Sequence, residues 1–260
     1  MEGVRIFIHA VRMVLGNLNV ALRVSGALLA IHLVIGLMAG EAYFSSGMGM
    51  SGGAPGEMPQ FSGLMFLLSV LQIIFGLWIA VAWHRFILLE EQPGAFLPVW
   101  NGAAIWSYFK AGFVLALIVI VAVIPMMFLA GLVVLPFVAG DMGSPGLLPG
   151  LIGFAIMYLP AAYIAYRISP MLPSAAVGKR MTVKEAWQST STSGLSFVVL
   201  TLVSVLAGWL IYMPAGLLAG NALIIAVIWA ALAQWLSILV GASILTTIYG
   251  HYVQKRELNA

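Results

Sequence analysis

Six long apolar stretches run along the chain, and shorter polar connections separate them. Each stretch is close to or above about 20 residues, the length that an α-helix needs to cross about 30 Å of hydrocarbon. The pattern therefore predicts six transmembrane helices, near residues 20–39, 61–83, 111–139, 149–166, 195–218 and 221–249. Prolines within the third, fourth and fifth stretches predict bends, because proline removes a backbone donor; they are Pro125, Pro136, Pro160 and Pro214.

The basic residues are confined to alternate connections. All eleven lysines and arginines lie in the N-terminal segment up to Arg23, in the second and fourth connections, and in the C-terminal tail. The first and third connections carry only the acidic residues Glu41, Glu57 and Asp141. Because short loops rich in Lys and Arg stay on the cytoplasmic side, the chain is predicted to have both termini in the cytoplasm.

A short amphipathic stretch precedes the first, third and fifth predicted spans. We expect these stretches to form cytoplasmic interfacial helices, near residues 3–17, 95–107 and 182–193. Polar residues recur at helical spacing along the first one, at Glu2, Arg5, His9 and Arg12. In the third, Thr182 and Glu185 have the spacing of a capping box.

The three amphipathic stretches suggest an internal threefold repeat. When the three stretches are aligned at successive offsets of 89 and 87 residues, Phe7, Phe96 and Val183 coincide. The same alignment superposes Val11, Trp100 and Trp187. The predicted fold is thus an all-α polytopic membrane protein with one membrane domain over residues 1–260, built from three helical hairpins that each follow an interfacial helix. The alternative is that such spacing arises by chance in any protein made of hairpins.

The composition supports the membrane assignment and excludes several chemistries. Hydrophobic residues make up 63% of the 260 positions and charged residues 7%, against about 45–50% and 25% in soluble domains. The chain has no cysteine, which excludes disulfides, thiolate metal sites and a cysteine nucleophile. The excess of basic residues follows from membrane topology, so we expect no nucleic-acid partner.

The segment between residues 165 and 190 holds four of the basic residues, Arg167, Lys179, Arg180 and Lys184. We expect it to lie among anionic lipids of the cytoplasmic leaflet, where each basic residue contributes roughly 1 kcal/mol. Three motifs in it, Tyr166-Arg167-Ile168-Ser169, Leu172-Pro173-Ser174-Ala175-Ala176-Val177-Gly178-Lys179 and Glu185-Ala186-Trp187, resemble the YciC-like proteins and the membrane domain attached to some glycerophosphoryl diester phosphodiesterases. The resemblance implies a six-helix protein of the bacterial inner membrane and no catalytic residue.

Two arginines follow aromatic residues near predicted membrane edges, Arg85 after Trp83-His84 and Arg167 after Tyr166. One hypothesis is ordinary interfacial anchoring. The other is a lipid headgroup site, in which Arg85 and Arg167, with Lys179, Arg180 and Lys184, bind phosphate. Glu90 and Glu91 are candidates to pair with the arginines.

Histidines are the remaining candidates for ligand chemistry. His32 lies within the first predicted span, where an ionisable residue is a functional hypothesis by default. His84 and His251 lie at the predicted cytoplasmic ends of the second and sixth spans. Because no His-x₃-His or Glu-x-x-His spacing accompanies them, we predict no cofactor and no metal, and expect histidines bonded to nearby carbonyl groups.

The sequence favours a non-enzymatic membrane protein. No nucleotide-binding or metalloprotease motif is present in it, and no charged residue falls firmly at the middle of a span. Our first hypothesis is a scaffold, assembly factor or accessory subunit of a larger membrane complex. The second is a lipid- or amphiphile-binding protein or transporter, and the third an intramembrane enzyme or haem protein that uses the histidines.

Overall fold

The computed structural model describes residues 1–39, 63–94, 97–140, 147–192 and 194–258. Within these residues the chain is 84% helical and contains no strand, which confirms the all-α prediction. The helices are α1 (Glu2–Leu15), α2 (Leu18–Ala39), α3 (Gly63–Leu89), α4 (Gly102–Gly140), α5 (Leu147–Ile168), α6 (Met171–Ala176), α7 (Val183–Ser189), α8 (Gly194–Leu218) and α9 (Leu223–Ile248). A π-helical turn, Tyr249–Val253, continues α9.

Four helical segments among the described residues are long and apolar enough to cross a membrane. They are Gly102–Phe137, Leu148–Ala176, Gly194–Leu218 and Leu223–Val253. A fifth is obtained if Glu2–Leu15 and Leu18–Ala27, which meet at an angle of 78°, form one bent span. The described residues thus support a multi-pass membrane protein, while the number six and the cytoplasmic termini stay predictions. The acidic connections, with Glu41, Glu57 and Asp141, lie outside the described residues.

Two of the three predicted interfacial helices correspond to short separate helices. The first, α1, buries Ile6, Ala10 and Val14 completely on one face, and the third, α7, begins at the predicted capping box of Thr182 and Glu185.

The predicted interfacial helix near 95–107 differs, because α4 begins at Gly102 and continues without a break into the apolar stretch. The Asn101 side chain accepts a hydrogen bond from the Ala104 backbone N–H at 3.0 Å and so starts the helix. No proline follows until Pro125, and α4 continues through that proline as well. Phe96, which the repeat alignment used, lies outside the described residues, so the threefold repeat stays a prediction.

The chain forms two compact units. The first contains Met1–His9, Trp106–Ser204 and Leu245–Ala260, and the second Ala10–Ile105 and Val205–Ile244. In the second unit, the fully buried Trp83 donates its indole N–H to Ser243 Oγ at 2.8 Å. Trp235 donates likewise to Ser25 Oγ at 2.6 Å. Paired polar groups of this kind join helices in an apolar environment.

The first unit brings the two ends of the chain together. The α1 backbone at Gly3 packs so closely on α8 that a Cβ there would lie 2.2 Å from the Ser196 carbonyl oxygen. Glu2 accepts a hydrogen bond from Ser196 Oγ at 2.8 Å, and Arg5 donates to the Leu258 carbonyl at 2.8 Å. A residue larger than glycine at position 3 would therefore separate α1 from α8.

Candidate functional site

The Arg167 side chain is the centre of an extended polar network. Arg167 ends α5 and is 5% exposed. Its Nε–H donates to Thr190 Oγ1 at 3.0 Å, its Nη1 to the Tyr163 hydroxyl at 3.0 Å, and its Nη2 to the Trp187 carbonyl at 2.7 Å. All three guanidinium nitrogens therefore bond to acceptors within the first unit.

Aromatic rings complete the surroundings of this cation. The guanidinium carbon lies 4.2 Å from the ring centroid of Trp187 and 5.7 Å from that of Tyr163. No carboxylate pairs with Arg167 in the part of the chain that the structure describes. Neutral acceptors and ring faces thus compensate the loss of water around the charge.

Thr190 links the ends of two helices. Besides accepting from Arg167 Nε, its hydroxyl lies 3.0 Å from the Arg167 carbonyl and 3.1 Å from the Ala186 carbonyl. Since the last carbonyls of a helix lack intrahelical partners, the hydroxyl satisfies one of these groups while it receives the guanidinium. The end of α7 is thereby attached to the end of α5.

Hydrogen bonds also hold the turn that leads from α6 to the basic residues. All six α6 residues are buried. Gly178 adopts φ +78°, and the Lys179 N–H donates to the Ser174 carbonyl at 2.9 Å, the bond that defines a Schellman motif. The Ser174 hydroxyl donates back to the Lys179 carbonyl at 2.6 Å. These bonds set the backbone direction at Lys179.

The residues beyond this turn are exposed and basic. Lys179, Arg180 and Lys184 are exposed, as is Trp187, which is 39% exposed. We call these four residues the cationic platform. The neighbouring Glu185 carboxylate accepts from the Thr182 backbone N–H at 2.7 Å. This backbone hydrogen bond, with one from the Thr182 hydroxyl, lowers the pKa of Glu185 below its ordinary value of 4.5.

The structure separates the roles of the predicted site residues. Lys179, Arg180 and Lys184 are exposed, whereas Arg167 is buried and each of its three guanidinium nitrogens is hydrogen-bonded. The roles of Thr190 and Tyr163 in holding Arg167 were missed by sequence reasoning. Tyr163 precedes Arg167 by four residues, a helical spacing that brings the two side chains together, and Thr190 gives no comparable local signal.

Arg85, in the second unit, has a different environment. Its Nε lies 2.5 Å from Glu91 Oε2, and both side chains are partly exposed. Helix α3 ends at Leu89, and the next residue, Glu90, has a φ of 57°, in the left-handed region that commonly ends helices. The ion pair borders a shallow recess that is lined by Val81, Ala82, Gln92, Pro93, Pro98 and Val99 as well. The hypothesis that Glu91 pairs with Arg85 is therefore confirmed.

Two of the three candidate histidines, His84 and His251, have side chains that the structure describes. His84 is fully buried within α3, and the His32 side chain lies outside the described residues. His251 Nε2 lies 3.0 Å from Glu2 Oε1, and its Nδ1 lies 3.0 Å from the Arg256 carbonyl. Burial opposes ionisation of Glu2, but interactions with Ser196, His251 and Tyr252 outweigh it and lower the pKa of this carboxyl.

No group of three or more His, Cys, Asp or Glu side chains is placed to hold a metal ion among the described residues. Comparison of the chain with family models, with curated proteins and with solved structures gives no match. The resemblance to the YciC-like proteins therefore stays a prediction, and the site has to be interpreted from its own geometry.

Proposed function

We propose that the protein is a non-enzymatic integral membrane protein that binds anionic phospholipid headgroups through the cationic platform. The observation that carries the proposal is that exposed basic side chains stand on a hydrogen-bonded backbone. Lys179, Arg180 and Lys184 are exposed, while the backbone that presents them is fixed by the Arg167 network on one side and the Gly178 turn on the other.

The chemistry of the platform suits a phosphate at a membrane surface. Each basic residue near an anionic surface contributes roughly 1 kcal/mol, and Trp187 beside them has the amphipathic ring typical of the headgroup region. The Glu185 carboxylate subtracts one charge, but its Oε2 already accepts from the Thr182 N–H and hydroxyl. In the predicted topology the platform faces the cytoplasmic leaflet of a bacterial inner membrane. Arg167 acts in this proposal as a positioning residue.

The test compares lipid retention by two variants that lose equal charge. The platform variant replaces Lys179, Arg180 and Lys184 by Gln. The control replaces the exposed Arg12, Arg23 and Lys255 by Gln. Native mass spectrometry of protein extracted from membranes that contain phosphatidylglycerol and phosphatidylcholine counts the lipids bound.

We expect the platform variant to retain at least tenfold less phosphatidylglycerol than the natural chain, the control to retain nearly normal amounts, and phosphatidylcholine to be unaffected. Equal losses in both variants would show a general charge effect and contradict the proposal. Added inorganic phosphate distinguishes two ligand sources, since a site for free phosphate would release lipid at millimolar phosphate and a site for intact lipid would not.

The scaffold or accessory-subunit hypothesis is a second candidate, and one observation favours it. A face of α8 near the middle of the helix is exposed and carries Trp209, which is 62% exposed. A different protein recovered reproducibly on this face from native membranes would support an accessory role. The crosslinking experiment described next includes that outcome.

A further inference from the structure

The exposed face of α8 is a continuous apolar stripe in the second unit. Its exposed residues are Leu206, Trp209, Leu210, Met213 and Leu217. At about 100° of rotation per residue these five positions fall within an arc of about 100°. Leu206 and Met213, seven residues apart, lie at the centre of the arc together with Leu217. Trp209 lies on one flank and Leu210 on the other.

Trp209 is unusual for a residue that faces lipid. In the 25-residue helix Gly194–Leu218, it lies about 5 Å from the midpoint, whereas membrane tryptophans are enriched at the two interfaces. Its indole N–H has no hydrogen-bond acceptor among the described residues. A donor without a partner is costly in hydrocarbon, and the polar groups of lipids do not reach this depth.

An acceptor lies on the opposite flank of the same stripe. Pro214 has no backbone N–H, so the Leu210 carbonyl lacks the donor that would normally bond it four residues later. The same turn already accepts an indole within the chain, because Trp229 donates to the Ile211 carbonyl at 2.7 Å. The turn before Pro214 is thus able to accept hydrogen bonds from tryptophan.

A second copy of the chain brings the donor and the acceptor together. Two copies in one membrane share their orientation, so a twofold axis makes their α8 helices parallel. In a parallel pair, one flank of the stripe on each helix meets the opposite flank on the other, as e and g positions do in coiled coils. Trp209 of each copy then faces Leu210 and Pro214 of the other.

We propose that this face of α8 forms a symmetric dimer, in which Trp209 of each copy donates its indole N–H to the Leu210 carbonyl of the other. Leu206 and Met213 meet their own counterparts at the centre. The proposal does not depend on lipid binding at the cationic platform.

The absence of cysteine from the chain allows a direct test by single-cysteine crosslinking in native membranes. We expect Leu206→Cys, Met213→Cys and Leu217→Cys to form covalent dimers. Leu132→Cys is the control, because Leu132 on α4 is 56% exposed, comparable to Leu206, and lies outside the stripe. Equal crosslinking of the control, or crosslinks from the stripe mainly to a different protein, would overturn the proposal.

A second measurement tests the hydrogen bond itself. Trp209→Phe keeps an aromatic ring and removes the indole donor, and we expect the dimer dissociation constant, measured by dilution in lipid vesicles, to rise about three- to thirtyfold. Trp106→Phe, at another exposed tryptophan, should leave it unchanged. A dissociation constant that is the same in Trp209→Phe and the natural chain would overturn the assigned contact.

Discussion

Arg167 and Arg85 have similar sequence surroundings and opposite structural environments. Each follows aromatic residues near the predicted cytoplasmic end of a span. Arg167 is buried and donates hydrogen bonds to two hydroxyl groups and a backbone carbonyl, with no carboxylate partner among the described residues. Arg85 is partly exposed and pairs with Glu91.

The difference comes from the chain that follows each arginine. After Arg167, α7 packs against α5 and the guanidinium is removed from water, so that its nitrogens need internal acceptors. After Arg85, α3 ends at Leu89, and Glu91 offers a carboxylate to a charge that water still reaches. Because a buried polar group is costly to leave unpaired while an exposed ion pair contributes little, the two sites should respond very differently to substitution.

The largest effect should come from Arg167. Replacing it by Met removes three charge-assisted hydrogen bonds and leaves their acceptors buried, which we expect to destabilise the attachment of α7 by about 3 kcal/mol. Trypsin cleaves after Lys179 and Arg180 when α7 opens locally, so the cleavage rate measures this opening. A loss of about 3 kcal/mol should raise that rate about a hundredfold. Arg167→Lys should recover little, since an ammonium cannot reproduce the planar fork. Cleavage at the natural rate in Arg167→Met would contradict the role of the network.

A smaller effect is expected at Thr190. Thr190→Val keeps the shape of the side chain but leaves the Arg167 Nε–H without its acceptor, at a cost of about 1–3 kcal/mol. The tryptic cleavage rate between α6 and α7 should rise about tenfold. Thr190→Ser, which retains the hydroxyl, is the matched control and should stay within about twofold of the natural chain.

The capping box at Thr182 and Glu185 makes the same segment sensitive to acid. The pKa of Glu185 is lowered in the folded state. The ionised carboxylate therefore stabilises α7 fully at pH values above its ordinary pKa of 4.5, and this stabilisation is lost as the pH falls through the lowered pKa. Local opening of α7, followed by hydrogen exchange of the α7 backbone amides, should therefore increase below about pH 4.5. Glu185→Gln should reduce this pH dependence, and an unchanged pH profile in that variant would refute the assignment.

The smallest effect is expected at the Arg85–Glu91 pair. Glu91→Gln removes one charge of a partly exposed pair, which we expect to cost about 0–1 kcal/mol. The unfolding temperature of the solubilised protein should shift by no more than about 4 °C. At high salt the unfolding temperature of the natural chain should approach that of the variant, because salt screens exposed ion pairs. A loss of stability as large as that expected for Arg167→Met would show that the two arginines do not differ in this way.

Local patterns in the sequence specify the helices and several of their ends. Apolar length indicates the membrane-spanning stretches, and the Thr182–Glu185 spacing fixes the start of α7, because a capping box depends only on residues three positions apart. Near residues 95–107, where amphipathic spacing predicted an interfacial helix, the described helix begins at Gly102 and continues without a break into the apolar stretch. There the preference of the chain to propagate an uninterrupted helix from Gly102 prevailed.

The sequence by itself determined an all-helical, multi-pass membrane protein with a basic segment between α6 and α7, because hydrophobic length and charge act through near neighbours along the chain. Only the tertiary structure decided that Arg167 is buried and hydrogen-bonded while Lys179, Arg180 and Lys184 are exposed. Burial and hydrogen-bond partners 20 or more residues away, such as Trp187 and Thr190 for Arg167, depend on how helices pack. That packing leaves no periodic signal in the sequence.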